Sequence, residues 1–370
     1  MDNGKGVTKV DVNKIHNENC LTGLKNLPDG VVDCCVTSPP YWGLRDYQHD
    51  EQLGMEETPE KFVANMVEVF EQVRRVLKPE GTLWLNLGDT YSSHKDCKSV
   101  ADTLRVGGIS EEANVIEKVK SHSRNSRMLK SVGLKNKDII GIPWMCAFAL
   151  RQAGWYLRQD IIWHKPNPMP ESVTDRCTKA HEYIFLMSKS AKYYYDAEAI
   201  KTEIKDSSIA RLDRGVGENH KNINGAPGQT PHSMNAPRLH KNLQTKGQSV
   251  HSMHKARLGL AGNGFNGHSG NYDKNGNVIG NGLANKRSVW TVNTKPYSEA
   301  HFATFPEELI VDCIKAGCPE GGVILDPFMG AGTTAVVAKK LNRNYIGFEI
   351  NPDYIKIAES RLYSEIGMFL

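Results

Sequence analysis

The sequence predicts an α/β fold with a doubly wound, mostly parallel sheet, and three observations support that class. Short apolar runs typical of buried strands alternate with segments of helical hydrophobic spacing. A Ser-Pro-Pro-Tyr tetrapeptide and a glycine-rich turn each follow such a run, where open α/β sheets bind ligands. Two long basic stretches lack either periodicity and predict insertions. The 370 residues suffice for one large domain and a smaller module.

The elements follow in order along the chain. Residues 31–36 are an apolar run that predicts a buried strand ending at Thr37. Helical spacing predicts a helix over 59–77, and Pro79-Glu80-Gly81 predicts its end before a strand at 82–87. The same reasoning predicts a helix at 142–153 closed by Gly154, a strand at 156–163, a loop at 165–170, a strand hairpin of 181–188 with 193–196, a helix at 305–316, a strand at 323–325, a helix at 333–341, a strand at 345–349 and a helix at 352–366.

Charge is distributed unevenly along the chain. Residues 201–290 hold thirteen Lys or Arg against five Asp or Glu, so they carry +8 in a chain whose net charge is +4. This segment predicts either a surface that faces phosphates or a solvated, partly disordered insertion. Residues 92–137 hold ten basic and five acidic residues and predict a mobile basic insertion. The predicted divisions are therefore a catalytic half at 1–200, a recognition region at 201–290 and a cofactor half at 291–370.

Composition excludes several classes of protein. The longest apolar run, residues 139–150, contains Gly141 and Pro143 and is too short to span a bilayer. The first six residues lack the apolar core of a signal peptide, so we expect a cytoplasmic protein without a membrane partner. None of the eight cysteines forms a C-x-x-C pair, which predicts buried thiols and no metal site.

The glycine-rich turn after residues 323–325 predicts a nucleoside cofactor site. Gly330 and Gly332 let the backbone approach a ligand, and the carboxylate of Asp326 suits an ammonium group better than a pyrophosphate. Glu349 ends the next predicted strand, where an acid can accept both hydroxyls of a ribose. The turn lacks a complete G-x-G-x-x-G and the lysine of a P-loop. Together these features favour S-adenosyl-L-methionine over NAD.

The tetrapeptide Ser38-Pro39-Pro40-Tyr41 suits the methylation of an exocyclic amine. Two prolines remove backbone donors and leave carbonyl oxygens that accept hydrogen bonds. The Ser38 oxygen and the Pro39 carbonyl could accept from both amine hydrogens and expose the nitrogen lone pair. Tyr41 could stack on a flipped base. Catalysis would then be mainly positioning, without a covalent intermediate.

These motifs resemble the β-type DNA amino-methyltransferases, in which the catalytic motif precedes the cofactor motif. The resemblance covers nearly all of the chain outside 92–137 and 200–290. It implies the S-adenosylmethionine-dependent methyltransferase fold with a circularly permuted motif order and an inserted DNA-recognition region. It is carried by Thr37-Ser38-Pro39-Pro40-Tyr41-Trp42-Gly43-Leu44-Arg45-Asp46-Tyr47, by Leu85-Asn86-Leu87-Gly88-Asp89-Thr90-Tyr91, by Trp163-His164-Lys165-Pro166-Asn167-Pro168-Met169-Pro170, by His181-Glu182-Tyr183-Ile184-Phe185 and by His301-Phe302-Ala303-Thr304-Phe305-Pro306.

The resemblance also assigns roles to residues and partners. It implies a catalytic tetrapeptide, a loop at 165–170 over the target base, double-stranded DNA as substrate and room for a cognate restriction endonuclease; the protein itself could be a monomer or a homodimer. Asp89 is either a cofactor-side or a capping residue. Cofactor candidates are Asp326, Phe328, Gly330, Gly332, Thr333, Glu349, Phe305 and Asp89, and DNA candidates are Lys165, Arg238, Lys241, Lys255 and Arg257.

The target base stays open at this level. In the family, Ser at the first motif position is associated with cytosine N4 and Asp with adenine N6, so Ser38 favours N4-methylcytosine. Methylation of RNA or of a protein glutamine is a competing hypothesis, although the glutamine family carries Asn at that position and has the cofactor motif first. A catalytically silent DNA-binding protein and a nicotinamide dehydrogenase are two further hypotheses from different functional classes.

Overall fold

The structure, a computed structural model, describes residues 10–43, 51–92, 133–203, 271–272, 278–279, 283–294 and 305–367. The chain divides into two compact units, one made of Met1–Ile200 with Arg287–Leu370 and the other of Lys201–Lys286. Most of the candidate insertion at 92–137 and most of 201–290 lie outside the described residues. In the part that is described, no helix is both long and apolar enough to cross a membrane.

The strands and helices of the described residues follow the predicted alternation. The strands are β1 Lys14–His16, β2 Val32–Thr37, β3 Leu77–Leu87, β4 Tyr156–His164, β5 His181–Ser188, β6 Thr202–Glu203, β7 Asn271–Tyr272, β8 Val278–Ile279, β9 Leu283–Ala284, β10 Val289–Thr291, β11 Val323–Asp326 and β12 Asn344–Phe348. The helices are α1 Cys20–Asn26, α2 Pro59–Val76, α3 Ile142–Gln152, α4 Glu307–Gly317, α5 Thr333–Lys340 and α6 Pro352–Ile366.

The first unit is built on an eight-stranded sheet in the order β1-β12-β11-β2-β3-β5-β4-β10. All neighbours are parallel except β5, which is antiparallel to both β3 and β4. The carboxyl ends of the parallel strands therefore share one edge of the sheet, and the start of β5 lies at the same edge. We call this edge, with the loops that leave it, the carboxyl edge.

Helices cover both faces of this sheet. Alternate residues of a strand point to opposite faces, so Cys35 and Leu83 pack against α1, α2 and α3. Their neighbours Cys34 and Trp84 pack against α4, α5 and α6. Because both faces are buried, the strands read as continuous apolar runs. The predicted doubly wound, mostly parallel architecture is confirmed.

Helix ends follow local chemistry. Thr58 precedes α2 and accepts a hydrogen bond from the Lys61 amide at 3.2 Å, with Pro59 at the first helical position. Asn351 caps α6 in the same way through the Asp353 amide at 2.9 Å, and Pro352 follows it. These caps explain why both helices begin where the sequence predicts.

The predicted strand at 82–87 is too short. Strand β3 begins at Leu77, directly after α2, and therefore includes the Pro79-Glu80-Gly81 segment expected to be a turn. Its register against β2 shifts between the Val32–Leu77 pair and the Cys34–Thr82 pair. The irregularity gives the extra residues and the proline a place that a regular ladder would refuse.

The predicted hairpin between 181–188 and 193–196 is wrong. Strand β5 is present, but it pairs with β3 and β4. The backbone of 193–196 is not a strand, because its amides bond to different elements. Tyr194 donates to the Glu80 carbonyl and Asp196 to the Ala316 carbonyl, both at 2.9 Å. A central place between β3 and β4 gives β5 two full ladders, which a hairpin at the sheet border would not.

The second unit shows two short strand pairs among its described residues. Strand β6 pairs with β9, and β7 pairs with β8, both antiparallel. The low apolar content of 205–288 supports no secondary-structure prediction from the sequence, so these pairs have no predicted counterpart.

Candidate active site at the carboxyl edge of the sheet

The two motifs meet in space although 289 positions separate them. Strands β2 and β11 are parallel neighbours, with Cys34 opposite Ile324 and Cys35 opposite Leu325. Both motifs leave these strands at the carboxyl edge. The Thr37 hydroxyl donates to Asp326 Oδ1 at 2.6 Å, which joins the end of one strand directly to the end of the other. The tetrapeptide and the glycine turn therefore border the same site.

Asp326 lies inside the protein with 1% of its surface exposed. Its second oxygen accepts from the Thr334 hydroxyl at 2.6 Å, and Oδ1 also accepts from the Phe328 amide at 3.0 Å. Burial raises its pKa from 3.8 to about 6, although these three hydrogen bonds act in the opposite direction. The carboxyl group thus ties the turn to β2 and to the start of α5.

Glu349 follows β12 and holds the other side of the turn. Its Oε2 accepts from the Gly330 amide at 2.8 Å and its Oε1 from the Asn351 amide at 2.9 Å. Burial raises the pKa of Glu349 above its ordinary value. Two carboxyl groups, Asp326 and Glu349, therefore flank the turn, and residues 327–334 contain no basic side chain. This set of groups fits a cofactor with hydroxyl and ammonium groups and offers no positive charge to a pyrophosphate.

The glycines of the turn meet two different requirements. Gly332 precedes α5 with φ +80°, and an added Cβ would lie 2.6 Å from the Cβ of Ala358 in α6. Close packing and backbone conformation both demand glycine there. Gly330 has φ +53°, and an added Cβ would have only the Phe328 carbonyl oxygen near it, at 4.0 Å. Gly330 thus borders open space, as a residue beside a ligand should.

Arg361 supports the turn from behind, and the sequence motifs do not single it out. Its guanidinium donates to the Ala331 carbonyl at 2.9 Å and to the Thr333 hydroxyl at 3.0 Å, and it pairs with Glu307 at 3.1 Å. Arg361 is buried, as is Thr333. An arginine on the apolar face of α6 is the signal in the sequence that could have found it.

The tetrapeptide continues directly from β2. Ser38 and Pro40 are half-buried and Pro39 is buried, at the carboxyl edge. Tyr41 packs against Gly88, where an added Cβ would lie 2.5 Å from the tyrosine ring. Burial and the nearby Glu182 raise the pKa of Tyr41 well above its ordinary value, so the hydroxyl stays protonated.

Two further side chains, Asn86 and Glu182, reach Tyr41. The tyrosine hydroxyl donates to Glu182 Oε2 at 2.8 Å and lies 3.4 Å from Asn86 Oδ1. Glu182 also forms an ion pair with Lys165, a predicted DNA-binding residue. Asn86 and Glu182 both lie in motifs that carry the family resemblance, but sequence alone does not show that they meet Tyr41.

Asp89 has the geometry of a helix cap. Its carboxylate accepts from the Gly141 amide at 3.0 and 3.1 Å and from the Ile142 amide at 3.3 Å, at the start of α3. This geometry favours a capping role for Asp89 over a cofactor-side role. Phe305 is half-buried and packs against the core below α4, α5 and α6, and Phe328 is likewise half-buried in the turn.

The remaining DNA candidates, Arg238, Lys241, Lys255 and Arg257, lie outside the described residues. Among the seven described cysteines, six are buried as predicted, whereas Cys177 is exposed. Within the described ranges there is no cluster of three or more His, Cys, Asp or Glu side chains arranged to hold a metal ion.

Comparison with solved structures places this fold. The chain is similar to the DNA modification methylase TTHA0409 of Thermus thermophilus, solved with S-adenosyl-L-methionine, with a TM-score of 0.51 and 19% identity over 96% of this chain and 95% of that one. It is also similar to the PvuII cytosine-N4-specific DNA methyltransferase, with a TM-score of 0.53 and 14% identity over 94% and 85% of the two chains. The predicted methyltransferase fold is confirmed.

Sequence comparison identifies the family. The chain is 37% identical to the Type II methyltransferase M.Cfr9I of Citrobacter freundii, over 99% of this chain and 97% of that protein. It is 39% identical to M.XycI of Xanthomonas campestris pv. cyanopsidis, over 93% and 86% of the two. The family model for DNA methylases of the N6/N4 type matches residues 32–360. The chain therefore belongs to the N6/N4 DNA methylase family.

Proposed function

We propose that this protein is a site-specific DNA methyltransferase that transfers a methyl group to an exocyclic amine of a flipped base, with N4 of cytosine as the target. The observation that carries the proposal is the 2.6 Å hydrogen bond between Thr37 and Asp326. It holds the amine-binding tetrapeptide beside the cofactor turn, as direct transfer between two bound molecules requires. Relatives of matching length are Type II methyltransferases, which supports action on DNA.

The methyl donor is S-adenosyl-L-methionine, whose sulfonium supplies an activated methyl group when it is bound. Glu349 is placed to accept hydrogen bonds from ribose hydroxyls, and the open space beside Gly330 admits the ligand next to the backbone. Asp326 supplies negative charge behind the turn, where an ammonium would be favoured. Phe328, Thr333 and Phe305 complete the proposed cofactor set, with Gly332 shaping the turn.

Ser38 and Pro39 orient the amine. The serine oxygen and the proline carbonyl accept from its two hydrogens and draw the nitrogen away from conjugation with the ring. Tyr41 provides a face on which the flipped base can stack. The residues of the tetrapeptide act by positioning, and no side chain of the motif needs to form a bond to the base.

Cytosine N4 is favoured over adenine N6 because Ser stands at position 38. Either amine presents two hydrogens to the same acceptors, so the preference rests on the family association of Ser with cytosine. The similarity of the fold to the PvuII enzyme, described as cytosine-N4-specific, supports a site of this kind that accepts cytosine. N6-adenine methylation is the alternative within the same chemistry.

Target recognition is proposed to lie in residues 201–290, between a catalytic half at 1–200 and a cofactor half at 291–370. The segment is basic, and Arg238, Lys241, Lys255 and Arg257 are candidates for phosphate or guanine contacts. The substrate is double-stranded DNA in the cytoplasm. A cognate restriction endonuclease would act on the same sites, and the enzyme works as a monomer or a homodimer.

Methylation in vitro tests the proposal directly. The purified protein is incubated with genomic DNA and S-adenosyl-L-methionine, the DNA is sequenced for modified positions, and its nucleosides are analysed by mass spectrometry. We expect N4-methylcytosine at one short recognition sequence. N6-methyladenine instead would replace the target base but keep the enzyme class. Absence of any methylated base, together with no binding of the cofactor in calorimetry, would favour a catalytically silent DNA-binding protein.

Ser38→Ala tests the catalytic assignment. We expect loss of methyl transfer by at least about 100-fold, because one of two amine acceptors is removed, while cofactor affinity stays within about twofold. Tritium transfer from labelled cofactor and calorimetry measure the two effects, with Tyr41→Ala as a second variant. Equal loss of transfer and of cofactor binding would show that the tetrapeptide lies elsewhere than proposed.

A further inference from the structure

Four polar side chains from four different segments converge at the carboxyl edge beside the tetrapeptide. Asn86 lies near the end of β3, Lys165 directly follows β4, Glu182 is the second residue of β5, and Tyr41 belongs to the tetrapeptide. The ladder places Trp163 opposite Glu182, so the start of β5 and the end of β4 are adjacent. Glu182 is the member that contacts all of the other three.

The contacts of Glu182 use both carboxylate oxygens. Its Oε1 pairs with the Lys165 ammonium. Its Oε2 accepts from the Tyr41 hydroxyl at 2.8 Å and lies 3.4 Å from the Asn86 amide nitrogen. The Lys165 ammonium also lies over the Trp163 ring, 4.2 Å from its centroid. A negative charge therefore stands at the centre of a network whose positive end lies on the loop at 165–170.

This ion pair is largely withdrawn from water. The side chain of Glu182 is 15% exposed and that of Lys165 is 18% exposed. Removing two charges from water costs free energy that the pair barely recovers, so such pairs contribute little to stability. An ion pair of this kind in a cleft next to reacting groups is better explained by a role in function.

Glu182 controls the orientation of the Tyr41 ring. One side of the ring lies against Gly88, where even a methyl group would overlap it. The hydroxyl at the far end is held by Glu182. Since contacts at both ends leave the ring one orientation, its remaining face is presented to the site at a defined angle.

We infer that Glu182 is a positioning residue for the methyl transfer, which acts through Tyr41 and Lys165 on the bound target base. It holds the stacking ring in place, and it holds the Lys165 ammonium beside that ring as a donor for the acceptor atoms on the base edge. The inference rests on the proposed function, because the base is assumed to stack on Tyr41. Neither the cofactor turn nor its contacts involve Glu182.

The test measures single-turnover methyl transfer from tritiated S-adenosyl-L-methionine to DNA by the full-length protein. Glu182→Ala is expected to slow transfer by about 10- to 100-fold, as misplacement of a bound reactant does. Cofactor affinity in calorimetry should stay within about twofold of wild type, since positioning affects only the transfer step. Glu182→Gln, which keeps the hydrogen bond to Tyr41 but removes the charge that holds Lys165, should fall between the two.

A mutant cycle separates positioning from general damage to the fold. Tyr41→Phe removes only the hydroxyl, and the double variant Tyr41→Phe/Glu182→Ala should be no slower than the slower single variant, because both break the same contact. Asp33→Asn is the matched control. Asp33 is a carboxylate paired with Lys78 at 2.8 Å, with 11% of its side chain exposed, at the opposite edge of the sheet. This control should transfer methyl groups at the wild-type rate.

Defined outcomes overturn the inference. It fails if Glu182→Ala transfers at the wild-type rate, if Asp33→Asn is slowed equally, or if the Tyr41→Phe and Glu182→Ala effects multiply in full. Should Glu182→Ala not fold, Glu182→Gln carries the same comparison with Tyr41→Phe. Tritium in DNA is counted whichever base receives it. A wild-type protein that labels no DNA therefore refutes the proposed function, whereas one that labels adenine changes only the target base.

Discussion

Asp326 shows how one residue can serve the two motifs at once. The sequence places it in the glycine turn, where its charge predicts contact with an ammonium group. The structure surrounds its carboxyl oxygens with the hydroxyls of Thr37 and Thr334 and the Phe328 amide. The residue therefore joins the catalytic strand, the turn and α5, and any effect on a bound cofactor is exerted from a buried position.

The raised pKa of Asp326 predicts a pH-dependent contribution to stability. The folded protein holds the proton up to about pH 6, whereas the unfolded chain releases it near 3.8. The contribution to stability is therefore complete below the lower value and is lost as the pH rises through about 6. A difference of two in pKa corresponds to about 3 kcal/mol. Urea unfolding should show Asp326→Asn gaining roughly this amount relative to wild type between pH 4 and pH 7.

The comparison is made without cofactor, because a bound ammonium would favour the charged carboxylate and oppose the effect. A difference between wild type and Asp326→Asn that does not change over this pH range would show that burial does not perturb the carboxyl group.

At the scale of elements, short turns connect strands to helices at the carboxyl edge, and their backbone geometry decides where side chains point. The turn between β11 and α5 needs Gly332 in a left-handed conformation against α6. The loop between β3 and α3 is held differently, through the Asp89 carboxylate and the first amides of the helix. Each connection suggests its own test.

Gly332→Ala should destabilise the protein by about 3 kcal/mol or more. Left-handed backbone costs an L-residue about 1–2 kcal/mol, and overlap with Ala358 adds a comparable amount. Gly321→Ala is the matched control, because its φ of +73° is similar but nothing lies within 4 Å of an added Cβ. Urea unfolding of both variants separates the two contributions, and equal destabilisation would mean that α6 yields to the methyl group.

Asp89→Ala should lower the unfolding free energy by about 1–2 kcal/mol, because the amides at the start of α3 lose their acceptor. Cofactor affinity should remain unchanged, and Asp89→Asn, which keeps one acceptor oxygen, should lose less stability. Chemical denaturation and calorimetry distinguish the capping role from the cofactor-side role. A large fall in cofactor affinity with little change in stability would instead make Asp89 a cofactor-side residue.

At the scale of the whole molecule, charge is concentrated in the segment between the two halves of the methylase domain. Residues 201–290 carry +8 and the remainder of the chain −4. Binding of DNA by such a segment releases counterions, so its affinity must fall as salt is raised. The number of phosphates contacted can be read from the slope of that dependence.

Replacing Arg238, Lys241, Lys255 and Arg257 by Gln should weaken DNA binding and reduce the slope of log Kd against log salt by about 0.9 for each lost phosphate contact. Fluorescence anisotropy over a salt series measures the slope. The control variant removes the same charge from exposed lysines on the described surface, Lys14, Lys25, Lys61 and Lys356. The same change of slope in both variants would place the DNA contact elsewhere.

Much of the architecture could be predicted from the sequence, because it is written in local patterns. Strand β2 and helices α2 and α6 match their predicted bounds nearly to the residue, since apolar spacing and capping residues lie within each segment. The short elements β1, α1 and β10 have no predicted counterpart, because three to seven residues carry too little periodicity. The family and its cofactor motif were likewise accessible from contiguous residues.

Only the tertiary structure could decide which distant residues meet. The antiparallel insertion of β5 between β3 and β4, the burial of Asp326 and the contact of Glu182 with Tyr41 each join segments far apart in the chain. The sequence by itself determined the elements and the motifs at their ends. Strand order determined the partners, because pairing depends on the packing of whole faces, which no local window of sequence contains.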